Sequence, residues 1–218
     1  MIKAIIYDLD DLMVNSAKPQ SAAFNAVLKK HGYSYDKLPV NLRRKCTGMR
    51  IKDILKEINE HWNLGENIES FYKKRTKILL QEVRKNITPM PGLRKSLQLF
   101  KRNNLKIAIA SSGGKKYISL ALMKLKIKHY FDGVITGDDV KIGKPHPQTY
   151  LLAVKKLGLK ASECVVLEDA TNGIIAAKKA GCKCIAVRNL YTPKQDLSKA
   201  DNIVSSLNQI TIKTINSL

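Results

Sequence analysis

The sequence predicts an α/β protein in which a parallel sheet is interrupted once by an all-helical insertion. Three observations support this prediction: short apolar runs alternate with amphipathic segments, the apolar runs end in polar residues, and the alternation stops between about residues 16 and 85. Such alternation is typical of βα units, in which helices cover parallel strands. With 218 residues, the chain has room for one core domain and a smaller second domain.

Five apolar runs have the composition of buried strands, and helical spacing of apolar residues follows most of them. The predicted strands are residues 2–7, 105–110, 133–135, 164–167 and 184–187. The predicted core helices are residues 93–102, 116–126, 147–157 and 173–180. Gly158 and Gly181 each follow one of these helices, where a left-handed cap is expected.

The insertion contains amphipathic stretches at residues 22–30, 51–58 and 68–83, with no convincing strand. Two prolines, Pro89 and Pro91, mark the return to the alternating pattern, because they stop one helix and allow the next to begin. We therefore predict an α/β core domain of residues 1–15 and 87–218 and a helical domain of residues 16–86.

The composition predicts a soluble protein of the cytoplasm. No apolar run approaches the roughly 20 residues of a membrane span, so no membrane partner is expected. The four cysteines do not have the spacing of a zinc site or a disulfide framework, and we predict that they are reduced and mostly buried.

The formal net charge of +21 would attract polyanions. The basic residues are spread over many helical stretches, and there are more lysines than arginines. Lysine recognises nucleic-acid bases less specifically than arginine does. A solvated basic surface is therefore the favoured interpretation, and nucleic acid is not expected as a partner. A non-enzymatic protein that binds polyanions remains the alternative from a different functional class.

Two acidic pairs follow predicted strands. Asp8 and Asp10 come after the first strand, and Glu168 and Asp169 come after the run at residues 164–167. The carboxyl ends of parallel strands lie at one edge of the sheet, where ligands bind in open α/β folds. Clustered carboxylates repel each other unless a cation joins them, and hard oxygen ligands suit Mg²⁺. Each pair alone would also fit a polar turn or a helix cap.

Two further segments offer groups that suit a phosphate. Ser111 and Ser112 follow the predicted strand at residues 105–110, and they supply hydroxyls and backbone N–H groups at the start of a helix. Lys144 lies between Gly143 and Pro145 and could hold an anion. Taken separately, each has a more usual explanation, which is a turn for Ser111 and Ser112 and a solvated loop for Lys144.

Together, in their order along the chain (Asp8 and Asp10, Ser111, Lys144, then Glu168 and Asp169), the four segments resemble the four motifs of the haloacid dehalogenase-like hydrolase superfamily. The resemblance covers essentially the whole chain, and the helical insertion after the first motif is similar to the cap of the subgroup of β-phosphoglucomutase and sugar-phosphate phosphatases. It implies a Rossmann-like core and a magnesium-dependent phosphatase acting on a small phosphorylated metabolite. We expect the chain to act as a monomer.

The resemblance also implies a role for each site residue. Asp8 would be the nucleophile that forms an aspartyl phosphate, and Asp10 would be the general acid and base. Ser111, Ser112 and Lys144 would bind the phosphoryl group. The metal ligands would be Asp8, Asp10 through its backbone carbonyl, Asp169, and Glu168 either directly or through water. In the cap, Arg50 could grip a second anionic group of the substrate, although a plain surface arginine fits equally well.

The sequence departs from the family pattern at several positions, among them Leu12 and Asn15, and two of the departures bear on the function. Asp11 stands where the family usually has glycine, and it can enter a left-handed turn at modest cost. Gln20 lies in a segment where relatives often have a histidine, which a phosphoglucomutase would be expected to show. A phosphomutase is therefore the alternative to the phosphatase, and the absence of the histidine makes it the weaker hypothesis.

Overall fold

A computed structural model of the chain describes all 218 residues. Its strands, numbered in chain order, are β1 (Ala4–Tyr7), β2 (Val14–Asn15), β3 (Thr88–Pro89), β4 (Lys106–Ala110), β5 (Gly133–Ile135), β6 (Cys164–Glu168), β7 (Lys183–Val187) and β8 (Asn202–Val204). Six of them form one parallel sheet in the order β5-β4-β1-β6-β7-β8. The α/β class with a parallel sheet is confirmed.

Nine α-helices complete the fold. They are α1 (Ala17–Leu28), α2 (Val40–Cys46), α3 (Ile51–His61), α4 (Ile68–Lys85), α5 (Leu93–Arg102), α6 (Lys115–Leu125), α7 (Gln148–Leu157), α8 (Thr171–Lys179) and α9 (Ile212–Asn216). The predicted core helices agree with α5 to α8 to within two residues. Helix α1 begins five residues earlier than predicted and includes Pro19. A proline is tolerated there because it lies in the first turn, where the missing N–H has no partner within the helix.

The alternation of side chains along the strands builds two apolar layers. In β1, Ile5 and Tyr7 belong to one buried cluster, and Ala4 and Ile6 belong to another. The first cluster is covered by α5 and α6, and the second is covered by α7 and α8. Since both faces of every central strand are buried, the strands read as continuous apolar runs in the sequence.

Helices α1 to α4 lie between β2 and β3, which pair antiparallel at the two crossings of the chain. Nine buried residues, all between Phe24 and Phe71, form an apolar cluster of the insertion alone. The second half of α4 differs, because Leu79 and Val83 pack in the main cluster together with residues of α6. The division of the chain into a core domain and a helical domain of residues 16–86 stays a prediction.

The predictions for two glycines and for the cysteines are also borne out. Gly158 and Gly181 have φ values of 68° and 81° after α7 and α8, as expected of left-handed caps. All four cysteines are free and buried. None of the nine helices combines the length and the apolar composition needed to cross a membrane.

Candidate active site

The carboxyl ends of the three central strands bring the predicted site residues together. Asp8 follows β1 directly, Ser111 follows β4, and Glu168 is the last residue of β6. Because β4 and β6 pair with β1 on its two sides, these residues share one edge of the sheet. The backbone N–H of Asp8 donates to the carbonyl of Leu167 at 3.0 Å, which fixes the height of Asp8 beside β6.

A buried lysine joins two of the acidic residues. The Nζ of Lys144 donates to Asp8 Oδ1 at 2.6 Å, to Glu168 Oε1 at 2.7 Å and to the carbonyl of Ala110 at 3.1 Å. These bonds use all three donors of the ammonium group, so its position is fixed. Burial alone would lower the pKa of Lys144, but the two carboxylates raise it above its ordinary value.

Glu168 is held from several directions. Its Oε1 also accepts from the hydroxyl of Tyr150 at 2.6 Å, and its Oε2 accepts from the backbone N–H groups of Asp169 and Ala170. A Cβ atom at Gly173 would lie 1.7 Å from Oε1, so no other residue fits at position 173 without moving the carboxylate. Tyr150 and Gly173 therefore shape the site although neither carries a charge.

Asp8, Glu168 and Asp169 form the acidic cluster, in which each residue offers an oxygen within 4.8 Å of the others. All three are buried, and Lys144 is the only cation that pairs with any of them. Burial, followed by the charges of Glu168 and Asp8, raises the pKa of Asp169 well above its ordinary value. Burial likewise raises the pKa of Asp8 to about 8. Crowded, buried carboxylate oxygens of this kind fit a hard divalent cation.

The Asp10 carboxylate does not join the acidic cluster. Its Oδ1 accepts from the Tyr117 hydroxyl at 2.7 Å and from Gln20 Nε2 at 2.8 Å. Arg75 in turn donates to Gln20 Oε1. Because a guanidinium can only donate, this bond decides which end of the Gln20 amide faces Asp10. Asp10 Oδ1 thus receives two donors, one from α1 and one from α6.

The turn between Asp8 and α1 has the predicted left-handed residue. Asp11 has φ 58°, and its carboxylate accepts from the backbone N–H and the hydroxyl of Ser16. Burial raises the pKa of Asp11 to about 6. Asn189 donates to the Asp11 carbonyl at 2.6 Å and to Asp169 Oδ2 at 3.1 Å, and so it ties the turn to the acidic cluster.

The two predicted serines have different surroundings. The buried Oγ of Ser111 accepts from the Gly113 N–H at 3.0 Å and stays close to the strand end. Ser112 donates its hydroxyl proton to the carbonyl of Gly48 at 2.7 Å, in the segment between α2 and α3. Ser112 therefore links the sheet edge to the insertion.

Arg50 is not brought to the other site residues. Its guanidinium donates to both carboxylate oxygens of Asp53, at 2.8 and 2.9 Å, and to the carbonyl of Val140 at 2.9 Å. Its side chain lies against Gly143, where a Cβ atom would come within 2.5 Å of it. These contacts brace the loop that carries Lys144, and Arg50 does not line the cavity that contains Asp8.

Sequence reasoning missed Tyr117, Tyr150 and Asn189. The two tyrosines lie in α6 and α7 at apolar spacing, so the pattern indicated core positions and gave no sign of their hydroxyl contacts. Asn189 could have been found, because it follows β7 at the same edge of the sheet as Asp8 and Asp169.

Comparisons with known proteins identify the family of the chain. Residues 5–187 match the model of the family described as haloacid dehalogenase-like hydrolase. The protein YhcW of Bacillus subtilis is 31% identical, over 97% of this chain and 95% of YhcW. A phosphorylated carbohydrates phosphatase of Thermotoga maritima is 29% identical over 84% of each chain. The crystal structure of a β-phosphoglucomutase from Clostridium difficile is similar with a TM-score of 0.87 and 27% identity, covering 100% of this chain and 96% of that one.

Proposed function

Because the chain belongs to the haloacid dehalogenase-like hydrolase family, we propose that it is a magnesium-dependent phosphatase that hydrolyses a small phosphate monoester, such as a sugar phosphate, through an aspartyl-phosphate intermediate. One observation carries the proposal. Asp8 is held by a buried lysine beside Glu168 and Asp169, and Asp10 lies two residues further along. The name of the Thermotoga maritima relative supports a phosphorylated carbohydrate as substrate.

In the proposed reaction, a carboxylate oxygen of Asp8 attacks phosphorus in line with the ester oxygen. The new O–P bond forms as the ester O–P bond breaks, and the departing oxygen takes a proton from Asp10. Asp10 then removes a proton from water, whose oxygen attacks phosphorus. Inorganic phosphate leaves and the Asp8 carboxylate is restored.

Asp8, Asp169 and the backbone carbonyl of Asp10 are the proposed ligands of magnesium. Glu168, whose two oxygens each already accept two hydrogen bonds, would join them directly or through water. When bound, the ion would supply positive charge that offsets the crowded carboxylates and the phosphoryl oxygens. Lys144 adds a fixed positive charge at Asp8. Ser111 and Ser112, in the turn before α6, are the proposed partners of the phosphoryl oxygens, and Ser112 is the one that lines the cavity of Asp8.

The two donors on Asp10 indicate which of its oxygens carries the proton. Oδ1 already accepts hydrogen bonds from Tyr117 and Gln20. Together these two bonds occupy both lone pairs of that oxygen, so it cannot also carry a proton. Oδ2 is therefore the oxygen that exchanges its proton with the leaving group and with water. Tyr117 and Gln20 act as positioning residues, since they contact Asp10 and not the reacting atoms.

Replacing Asp10 by asparagine is expected to lower kcat on alkyl phosphates by roughly 10² to 10⁴-fold, because the amide cannot deliver the proton. The loss should be much smaller for p-nitrophenyl phosphate, whose leaving group needs little protonation.

Tyr117→Phe removes one hydrogen bond to Asp10 and should lower kcat on alkyl esters by roughly 3- to 30-fold. As for Asp10→Asn, the loss should be smaller on p-nitrophenyl phosphate. The measurement is kcat of both variants on alkyl phosphates and on p-nitrophenyl phosphate. Equal losses on the two ester types would contradict the role of Asp10 as the general acid.

The function itself is tested by incubating the purified protein with Mg²⁺ and a panel of phosphorylated sugars and other metabolites. Release of inorganic phosphate from small monoesters is the expected result. Retention of the protein on DNA at physiological salt, with no turnover of any ester, would instead support the polyanion-binding alternative.

A phosphomutase is a second candidate, favoured by the similarity to the Clostridium difficile β-phosphoglucomutase structure. The residue that contacts Asp10 from α1 is Gln20, whereas a phosphoglucomutase was expected to have a histidine in this segment. Incubation with β-glucose 1-phosphate separates the two candidates, because a phosphatase yields glucose and phosphate and a mutase yields glucose 6-phosphate.

A further inference from the structure

The cavity that contains Asp8 has an unusual balance of charge. It has a volume of about 190 Å³, and its walls come from the strand ends, from α1 and α2, and from the segment around Tyr191. Arg43 is the only basic residue among its lining side chains. The acidic residues that line it are Asp8, Asp10, Asp11, Asp36, Glu168 and Asp169.

Arg43 has no partner in spite of these acidic neighbours. Its Nε is buried without a hydrogen bond, and its guanidinium forms no ion pair within 4.0 Å of any carboxylate. Arg50 differs in this respect, because it is paired with Asp53. A buried donor without a partner is uncommon in native proteins, and beside a cavity such a donor is suited to bind an anionic ligand.

The backbone holds Arg43 in this position. It lies in the last turn of α2, and its carbonyl accepts from both the N–H and the hydroxyl of Thr47, which also lines the cavity. The nearby acidic residue Asp36 is engaged elsewhere, because its carboxylate accepts from Ser21 and Asn25. The guanidinium is thus left available to a bound molecule.

We propose that Arg43 binds a second anionic group of the substrate, so that the enzyme prefers phosphate monoesters that also carry a carboxylate or a second phosphate. This inference rests on the proposed function, in which the first phosphate reacts at Asp8. The planar guanidinium matches carboxylate and phosphate oxygens in a two-point contact, and the site is half-buried, where such a contact is stronger than in water. A neutral sugar hydroxyl would leave the cation without a counter-charge.

The test uses two pairs of substrates that differ in the second anion. One pair is 3-phosphoglycerate and glycerol 3-phosphate, which isolates a carboxylate. The other is fructose 1,6-bisphosphate and fructose 6-phosphate, which isolates a phosphate. In at least one pair, the wild-type kcat/KM is expected to favour the anionic member by roughly 10- to 100-fold. The Arg43→Gln variant should lose most of that preference through a higher KM.

Arg44→Gln is the matched control, since Arg44 is the exposed neighbour in α2 and the charge change is the same. It should keep the wild-type preference. A wild-type enzyme without preference in either pair, or an Arg43→Gln variant that loses equally on both members of a pair, would overturn the inference. Wild-type turnover of p-nitrophenyl phosphate is measured in the same preparation, so that failure of the anion site can be told from failure of the phosphatase proposal.

Discussion

An Asp8→Asn enzyme is expected to lose turnover by roughly 10⁴-fold or more. The asparagine keeps the shape of the side chain and can still accept a hydrogen bond from Lys144, but its amide oxygen is a poor nucleophile. No covalent intermediate should form. The measurement is to quench a reaction with labelled substrate in acid and to search for phosphate on the Asp8 peptide by mass spectrometry, in parallel with steady-state rates.

Asp201→Asn provides the matched control for this substitution. Asp201 accepts from the N–H of Cys184 beside the amino ends of β7 and β8, at the edge of the sheet opposite to Asp8. An asparagine there can accept the same bond, and near wild-type turnover is expected. Thermal unfolding of both variants shows whether they fold. Near-normal turnover by folded Asp8→Asn protein would rule out the covalent route and would favour direct attack by water.

Most of the fold and the charged part of the site could be predicted because both follow from local patterns. The central strands are buried on both faces, so residues such as those of β1 and β6 stand out as apolar runs. Asp8 and Glu168 are then placed by a simple rule, since parallel strands share one carboxyl edge. Strands β2, β3 and β8 and helices α2 and α9 escaped prediction, because each is too short to show a period.

The uncharged part of the site could not be predicted, because it depends on contacts between residues far apart in the chain. Tyr117 reaches Asp10 across 107 positions, and its apolar spacing in α6 conceals the role of its hydroxyl. Arg50 shows a different limit. An acidic residue three positions away, Asp53, was visible in the sequence and could have indicated that Arg50 is already paired. Only the structure shows that Arg43 lines the cavity of Asp8.

Removal of divalent cations is the second change expected to abolish activity. In the acidic cluster, the carboxylates of Asp8, Glu168 and Asp169 have only Lys144 to balance them. Without further positive charge, the negatively charged phosphoryl group would be repelled by the negative charge of the acidic cluster. We therefore expect turnover to fall by at least roughly 10³-fold in excess chelator and to recover when Mg²⁺ is added.

Binding of the cation can be followed without turnover. A ligand that binds only the folded state at about 100 times its Kd stabilises that state by about 2.7 kcal/mol. For a chain of this size the corresponding rise in Tm is roughly 5 to 10 °C. Wild-type protein should show this rise on addition of Mg²⁺ at constant ionic strength. Asp169→Asn should lose it, because one ligand of the acidic cluster is replaced by a neutral amide, whereas Asp201→Asn should keep it.

Turnover in chelator and the rise in Tm with Mg²⁺ together distinguish a specific cation site from a general effect of salt. A basic protein with a net charge of +21 repels Mg²⁺ at long range, so a rise in Tm at constant ionic strength has to come from a local acidic site. If chelated and metal-stripped protein turned over at the full rate, the metal assignment would be wrong even if the rise in Tm were observed. If Asp169→Asn kept the full rise in Tm, the cation would bind outside the acidic cluster, and the proposed ligands would have to be replaced.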